Sequence, residues 1–107
     1  MSLNDAERHR TCEEFAQNLA LARLTPHEAA ADLGFAPERL RRTLDAASTS
    51  DPVDVWQLRD YLRQAVVDSG GTPVRHTVLT ERSRLKARMW FSLRRAPRHD
   101  FTAPGRP

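Results

Sequence analysis

The side chains best suited to binding chemistry in this sequence are basic residues in two short stretches with a helical pattern. One stretch is PERLRRTLD (residues 37–45) and the other is TERSRLKARMWF (residues 80–91). A guanidinium group can form two parallel hydrogen bonds with a guanine edge or a phosphate, so several arginines on an exposed helix face are typical of a helix that enters the DNA major groove. The basic candidate DNA contacts are therefore Arg39, Arg41, Arg42, Arg82, Arg84, Lys86 and Arg88.

The same sequence carries few residues that suit catalysis or metal binding. It has no glycine-rich phosphate loop and no pair of ligands at metal-binding spacing. Cys12 is the only cysteine, so we expect a small buried apolar side chain rather than a reactive thiol. His27, His76 and His99 are expected at the surface. We predict that the chain is not an enzyme and needs no cofactor or metal.

Two capped helical patterns meet at a single glycine in TPHEAAADLGFAPERLRRTL, residues 25–44. Thr25 and Glu28 have the spacing of a capping box, and Gly34 can take the left-handed conformation that ends a helix. Pro37 suits the first position of the next helix. The residues expected to be buried between the two helices are Ala29, Ala30, Leu33, Phe35, Leu40 and Leu44. This pattern predicts a helix-turn-helix.

Apolar residues at helical spacing predict three further helices. The first covers residues 4–23, with Asn4 as N-cap. The second begins after Asp51 and ends at Gly70 and Gly71, and the third begins after Thr80. Their expected inward residues are Cys12, Phe15, Leu19 and Ala22 in the first, Val55, Leu58, Leu62, Ala65 and Val66 in the second, and Leu85, Met89 and Trp90 in the third.

These elements predict an all-α fold of about five helices around a central helix-turn-helix. A short segment near residues 74–79 alternates apolar and polar residues and follows a proline. We interpret it as an edge strand or an extended arm over the core. Residues 1–91 form the predicted domain. Residues 92–107 contain RRAPRH and three prolines, and we expect a basic, flexible tail.

The large aromatic residues allow more than one interpretation. Trp56 and Tyr61 lie off the apolar stripe of their helix, where a residue at the edge of the core and a self-association surface are both possible. Together with Trp90 and Phe91 they form the predicted dimer or partner interface. A small-molecule pocket around Trp56, Trp90 and Phe91 is a further possibility.

Charge is distributed unevenly along the chain. The formal net charge of the whole sequence is +3. Residues 25–45 carry three basic and four acidic side chains, whereas residues 72–107 carry nine basic and two acidic ones. Affinity for a polyanion would therefore depend on the C-terminal third, because the predicted helix-turn-helix is not itself electropositive.

The pattern A-x-x-L-G-F-x-P-x-x-L-R, from Ala30 to Arg41, resembles the helix-turn-helix of bacterial transcription regulators. That resemblance implies that Ala36, Pro37, Glu38, Arg41 and Arg42 approach DNA bases, so Pro37 and Glu38 join the candidate DNA contacts. Most of residues 2–90 also resembles a bacterial family known as domain of unknown function 2316. The similar segments are SLNDAERHRT, LTPHEAAADLGFAPERLRRTLD, DPVDVWQLRDYL and TVLTER. This family resemblance implies an architecture and no established activity.

We therefore predict a sequence-specific duplex-DNA-binding protein, a transcriptional regulator that acts as a homodimer. Residues 37–45 would be the recognition helix, and the basic C-terminal third would contact phosphates. The alternative is a protein–protein interaction module on a degenerate helix-turn-helix scaffold that does not bind DNA. No apolar run is long enough to span a membrane and the N-terminal residues lack the apolar core of a signal peptide, so we expect a cytoplasmic protein without membrane contact.

Overall fold

A computed structural model of the chain describes residues 3–102. It confirms the predicted all-α fold, with five helices and no strand in that range. The helices are α1 (Asp5–Leu21), α2 (Pro26–Leu33), α3 (Pro37–Leu44), α4 (Pro52–Asp68) and α5 (Glu81–Trp90). No helix of residues 3–102 is both long and apolar enough to cross a bilayer.

Local capping interactions start and end the helices where the sequence indicated. The Asn4 side chain accepts from the backbone N–H of Glu7 at 2.8 Å, and the Glu7 carboxylate accepts from the N–H of Asn4 at 3.0 Å. Thr25 and Glu28 form the same reciprocal pair at the start of α2. Gly34 ends α2 with φ 71° and ψ 29°, a left-handed conformation that a residue with a Cβ rarely adopts. Both capping boxes and the glycine turn confirm the predictions.

Helix α4 lies at the centre of the core because it packs against both α1 and α3. Its predicted inward residues are all buried, and Phe15 of α1 and Leu40 of α3 are buried with them. Burying a side chain of this size contributes about 1.5–3 kcal/mol relative to leaving it in water. The short helix α3 therefore depends on packing against α4 and α2 on packing against α3, since two turns of helix are marginal alone.

The segment between α4 and α5 is an extended arm rather than a strand. Asn18, which is buried on α1, accepts from the backbone N–H of Val74 at 2.7 Å and donates to its carbonyl at 3.2 Å. Glu14 accepts from the N–H of Thr77 at 3.2 Å and from its hydroxyl at 2.7 Å. Polar side chains of α1 thus replace the hydrogen bonds that a neighbouring strand would have supplied.

The prediction of which α5 residues face the core is wrong. Leu85, Met89 and Trp90 are 64%, 79% and 71% exposed, and Ala87 is the residue of this helix that packs into the core. Polar contacts determine the rotation of the helix about its axis. Ser83 donates to the carbonyl of Val78 at 2.9 Å, and other polar side chains of the helix reach α4. The apolar residues are consequently turned toward solvent.

Residues 92–102, the described part of the predicted tail, lie against the helices. Leu93, Ala96 and Phe101 pack on the core, and Arg98 donates to Asp68 at 2.6 and 3.0 Å. The flexibility expected of this segment stays a prediction. Residues 103–107 of that predicted tail lie outside the described range.

Two of the three histidines expected at the surface are instead buried or nearly so. His76 is buried beside the ring of Phe15, and only 10% of the His99 side chain is exposed. The ring Nδ1 of His99 lies 2.6 Å from a carboxylate oxygen of Asp32. Burial of both residues depends on contacts with helices that are distant in sequence. His27 is exposed as expected.

Candidate nucleic-acid interface

Helices α2 and α3 are joined by three residues, and the second helix presents a polar face to solvent. Leu40 and Thr43 are buried on its inner side. Pro37, Glu38, Arg41 and Arg42, all candidate DNA contacts, are exposed. The helix therefore has the amphipathic character that a recognition helix requires.

Two arginines of this exposed face differ in their contacts. Arg41 donates to both carboxylate oxygens of Glu38, at 2.9 and 3.0 Å. Hydrogen bonding to Arg41 lowers the pKa of the Glu38 carboxyl. Arg42 has no hydrogen bond or ion pair from its guanidinium group within residues 3–102. Both guanidinium groups can reach an external partner, since an exposed ion pair on a helix surface is weak.

Arg39 is committed to a structural contact. Its guanidinium group donates to both oxygens of Asp54, a buried residue of α4, each at 2.7 Å, and lies 4.1 Å from the centre of the Phe35 ring. A two-point hydrogen bond of this kind is among the stronger ones between side chains. Arg39 therefore connects α3 to α4, and its side chain is not free to read a base.

The same Asp54 carboxylate also binds an arginine from the C-terminal segment. Arg94 donates to Asp54 Oδ1 at 3.0 Å, the oxygen that accepts from Arg39 Nη2 at 2.7 Å. Two guanidinium groups, one from α3 and one from residues 92–102, thus meet at one buried acidic group. The basic C-terminal segment lies beside α3 for this reason.

A groove rich in arginine lies between α4 and residues 91–98, and Arg94 is one of its lining residues. We call it the basic groove. Its charged and polar lining residues are Asp60, Gln64, Arg84, Arg88, Ser92, Arg94, Arg95 and Arg98. The guanidinium groups of Arg88 and Arg95 have no partner within the described part of the chain. These two groups are available to an anion.

Two arginines of this groove are candidate site residues that could not be identified individually from the sequence. Arg94 and Arg95 lie in the segment that the sequence predicts to be a flexible tail, and only the charge of RRAPRH indicates a role for them. Their position depends on contacts to α4, such as the 3.1 Å hydrogen bond from Gln57 Nε2 to the carbonyl of Arg95.

The four basic candidates on α5 are not brought to one surface. Arg84 donates to Asp60 and to Glu81 and lies 4.9 Å from the centre of the Trp56 ring. Burial raises the pKa of Asp60, but hydrogen bonds from Arg84 and Arg59 lower it more, so the carboxyl pKa lies below its ordinary value. Arg88 lines the basic groove. Arg82 and Lys86 are exposed on α5 outside the groove lining.

The structure also does not place the residues of the predicted aromatic interface on one surface. Trp56 and Tyr61 are buried in the core, where the Tyr61 hydroxyl donates to Asp32. Phe91 is partly buried against the core. Trp90 is the member of the predicted interface that is exposed to a large extent, and Leu85 and Met89 of the same helix are also exposed.

The described residues contain no group of three or more His, Cys, Asp or Glu side chains placed to hold a metal ion. Cys12 is half-buried, and burial is the first cause that raises the pKa of its thiol, followed by the charges of Asp45 and Glu13. A raised pKa disfavours the thiolate, which is the nucleophilic form.

Comparison with known proteins gives one family. The family described as an uncharacterized protein conserved in bacteria (DUF2316) matches residues 1–92. This range includes all five helices and ends before Arg94. No curated protein and no solved structure matches the chain.

Proposed function

The chain belongs to the bacterial family DUF2316, and we propose that it binds duplex DNA with α3 in the major groove and the basic groove on adjacent phosphates. The family is uncharacterised, so the support comes from the geometry of the described residues. In this proposal the protein is a transcriptional regulator.

The observation that carries the proposal is the shared contact of Arg39 and Arg94 with Asp54. Residues 25–45 are nearly neutral, and a recognition helix alone would have little attraction for a polyanion. The shared carboxylate joins the basic C-terminal segment to the side of α3. Phosphate contacts would then hold the helix in position, while the exposed side chains of α3 contact bases.

The roles within this proposal follow from the contacts of each arginine. Arg41 and Arg42 are the candidate base or phosphate contacts on α3, and Arg88 and Arg95 are the candidate phosphate contacts in the basic groove. Arg39 and Arg84, which were candidate DNA contacts from the sequence, hold helices together instead. Arg82 and Lys86 contribute long-range attraction, because their face of α5 lies outside the groove.

The double substitution Arg41→Ala/Arg42→Ala is expected to weaken duplex-DNA binding at least tenfold. Removing two phosphate or base contacts should also reduce the dependence of log affinity on log salt concentration by about two. Fluorescence anisotropy with fragments selected from the bacterial genome measures both quantities.

A matched control removes the same charge elsewhere. Arg63→Ala/Arg75→Ala changes two exposed arginines on the surface between α4 and the arm, and should alter affinity less than threefold. Equal losses in both double variants would show that only net charge matters. Absence of binding to any duplex at low salt would refute the proposal.

A second candidate function, the protein-interaction module, is favoured by the exposed apolar residues of α5. Leu85, Met89 and Trp90 are exposed apolar side chains on a helix whose other exposed residues are charged. Exposed large apolar residues are enriched at contact sites between chains, and tryptophan is enriched at their centres. Within the DNA-binding proposal, the same residues would join two copies of this chain, since a helix-turn-helix protein commonly binds DNA as a symmetric dimer. In an interaction module without DNA binding, they would contact a partner protein.

Sedimentation equilibrium tests this homodimer. The change Met89→Ser/Trp90→Ser should raise the dimer dissociation constant at least tenfold, because two large apolar side chains leave the contact. Val67→Ser on α4 provides a control at another exposed apolar residue and should leave dimerisation unchanged. A wild-type chain that stays monomeric at millimolar concentration would exclude self-association by this face.

A further inference from the structure

A small cavity lies between α5, the N-terminal half of α4 and the loop that follows α3. Its volume is about 170 Å³, and its apolar lining includes Val55, Trp56, Leu79, Ala87 and Phe91. The surfaces of DNA binding and dimerisation proposed above do not use this cavity. It is a separate feature of the fold.

Most polar side chains at the edge of the cavity have partners in the chain, and Ser48 is exposed to solvent. Ser50 donates to the carbonyl of Ala47 at 2.5 Å, and Ser83 donates to that of Val78 at 2.9 Å. Arg8 donates to the carbonyl of Leu3 at 2.8 Å. These groups require no hydrogen bond from an occupant. A charged occupant would lose its hydration and receive little in return.

Cavity size limits the occupant further. An apolar protein cavity of roughly 150 Å³ stays free of water and accepts a molecule such as benzene. A pocket of about 170 Å³ has room for one ring with a small substituent. A long acyl chain or a nucleotide would extend out of this pocket into solvent.

We propose that this cavity is a binding site for one small, uncharged molecule with a single aromatic or alicyclic ring. The site goes beyond the proposed DNA binding and does not depend on it. Trp56 and Phe91 would contact the faces or edges of the ring, and Ala87 forms part of the wall.

The loop wall of the cavity is continuous with α3. Ala47 lines the cavity, and its backbone N–H donates to the carbonyl of Arg42 at 3.0 Å. An occupant in contact with Ala47 would therefore restrain the C-terminal end of α3. Through this contact, an occupant of the cavity would affect the helix that carries the exposed Arg41 and Arg42.

Titration of Trp56 fluorescence with benzene and toluene tests the site directly. The variant Trp90→Phe is the starting protein, because Trp56 is then the only tryptophan of the chain. Both probes should give saturable changes, and benzoate should bind at least tenfold more weakly because it carries a charge. Saturation should be accompanied by a rise in Tm, since a ligand that binds only the folded state stabilises it.

Filling the cavity provides the second measurement. Ala87→Leu should weaken toluene binding at least tenfold, while Ala20→Leu on the exposed side of α1 should not change it. If Ala87→Leu fails to fold, Ala47→Leu occupies the same cavity from the loop and should give the same loss. An absence of saturable binding, or toluene binding that survives the filling variant, would overturn the proposal. Neither readout involves DNA, so these results are independent of the proposed function.

Discussion

Replacing Arg39 with methionine is expected to lower the free energy of unfolding by about 2–3 kcal/mol. The Asp54 side chain is 4% exposed and would lose two of its three arginine hydrogen bonds. Breaking a fully buried ion pair costs about 3–5 kcal/mol, because a buried charge is left without its partner. The cost here is smaller, since Arg94 still binds Asp54 and the Arg39 side chain is 35% exposed.

Methionine is the informative substitution at this position because it keeps an unbranched side chain over the Phe35 ring. The measured loss then reflects the missing charge and hydrogen bonds more than missing packing. Urea unfolding at pH 7 provides the free energies.

Arg42→Met is the matched control for this prediction. It makes the same chemical change three residues further along α3, at an exposed side chain, and should alter stability by less than about 0.5 kcal/mol. Similar losses in the two variants would show that the contact of Arg39 with Asp54 does not stabilise the fold. The pair of variants also separates the two roles of arginine on α3, because we expect Arg42→Met to weaken DNA binding without unfolding the helix.

Acidification from pH 7 to pH 4 is expected to remove about 2–3 kcal/mol of stability through His76. Burial is the first cause that lowers the pKa of this histidine to about 4, with a further contribution from the positive charge of Arg59. Glu14 and Asp60 act in the opposite direction, and Arg63 acts in the same direction as Arg59.

The sign of the effect follows from the proton count. Between pH 6.5 and about 4 the histidine of the unfolded chain is protonated and the folded His76 is neutral. The unfolded state therefore binds more protons in this window, and acid favours it. The stabilisation is complete above pH 6.5, decreases as pH falls through the window, and changes no further below pH 4.

Urea unfolding of the wild type and of His76→Gln at pH 7, 5.5 and 4 measures this contribution. Glutamine can still reach the amide group of Asn18, which lies 3.3 Å from His76 Nε2 in the structure, but does not titrate. The variant should lose much less stability between pH 6.5 and 4 than the wild type. His27→Gln changes an exposed histidine and should preserve the wild-type pH dependence. A His76→Gln profile that parallels the wild type would contradict the prediction.

Local interactions account for the features that could be predicted from the sequence. The capping boxes at Asn4 and Thr25 involve residues three positions apart, and the turn at Gly34 depends on the conformational freedom of one residue. The buried stripe of α4 follows from apolar residues at helical spacing. For these reasons the five helices, their order and the exposed face of α3 could be derived before any tertiary contact was known.

Features that depend on distant residues could not be derived in this way. The rotation of α5 is a clear example, because Leu85, Met89 and Trp90 are the natural inward set by hydropathy. The contact of Arg84 with Asp60, 24 residues away, instead turns them outward.

What the sequence by itself determined is the set of helices, the glycine turn between α2 and α3, and the excess of positive charge in the last third of the chain. What only the tertiary structure decided is which arginines remain free. Arg39 and Arg42 are three residues apart on one helix, and nothing in their spacing distinguishes them. Asp54, 15 residues from Arg39 and 40 from Arg94, takes both of those arginines as partners and leaves Arg42 exposed. A buried carboxylate selects its partners by distance in space, and that distance exists only once the helices have packed.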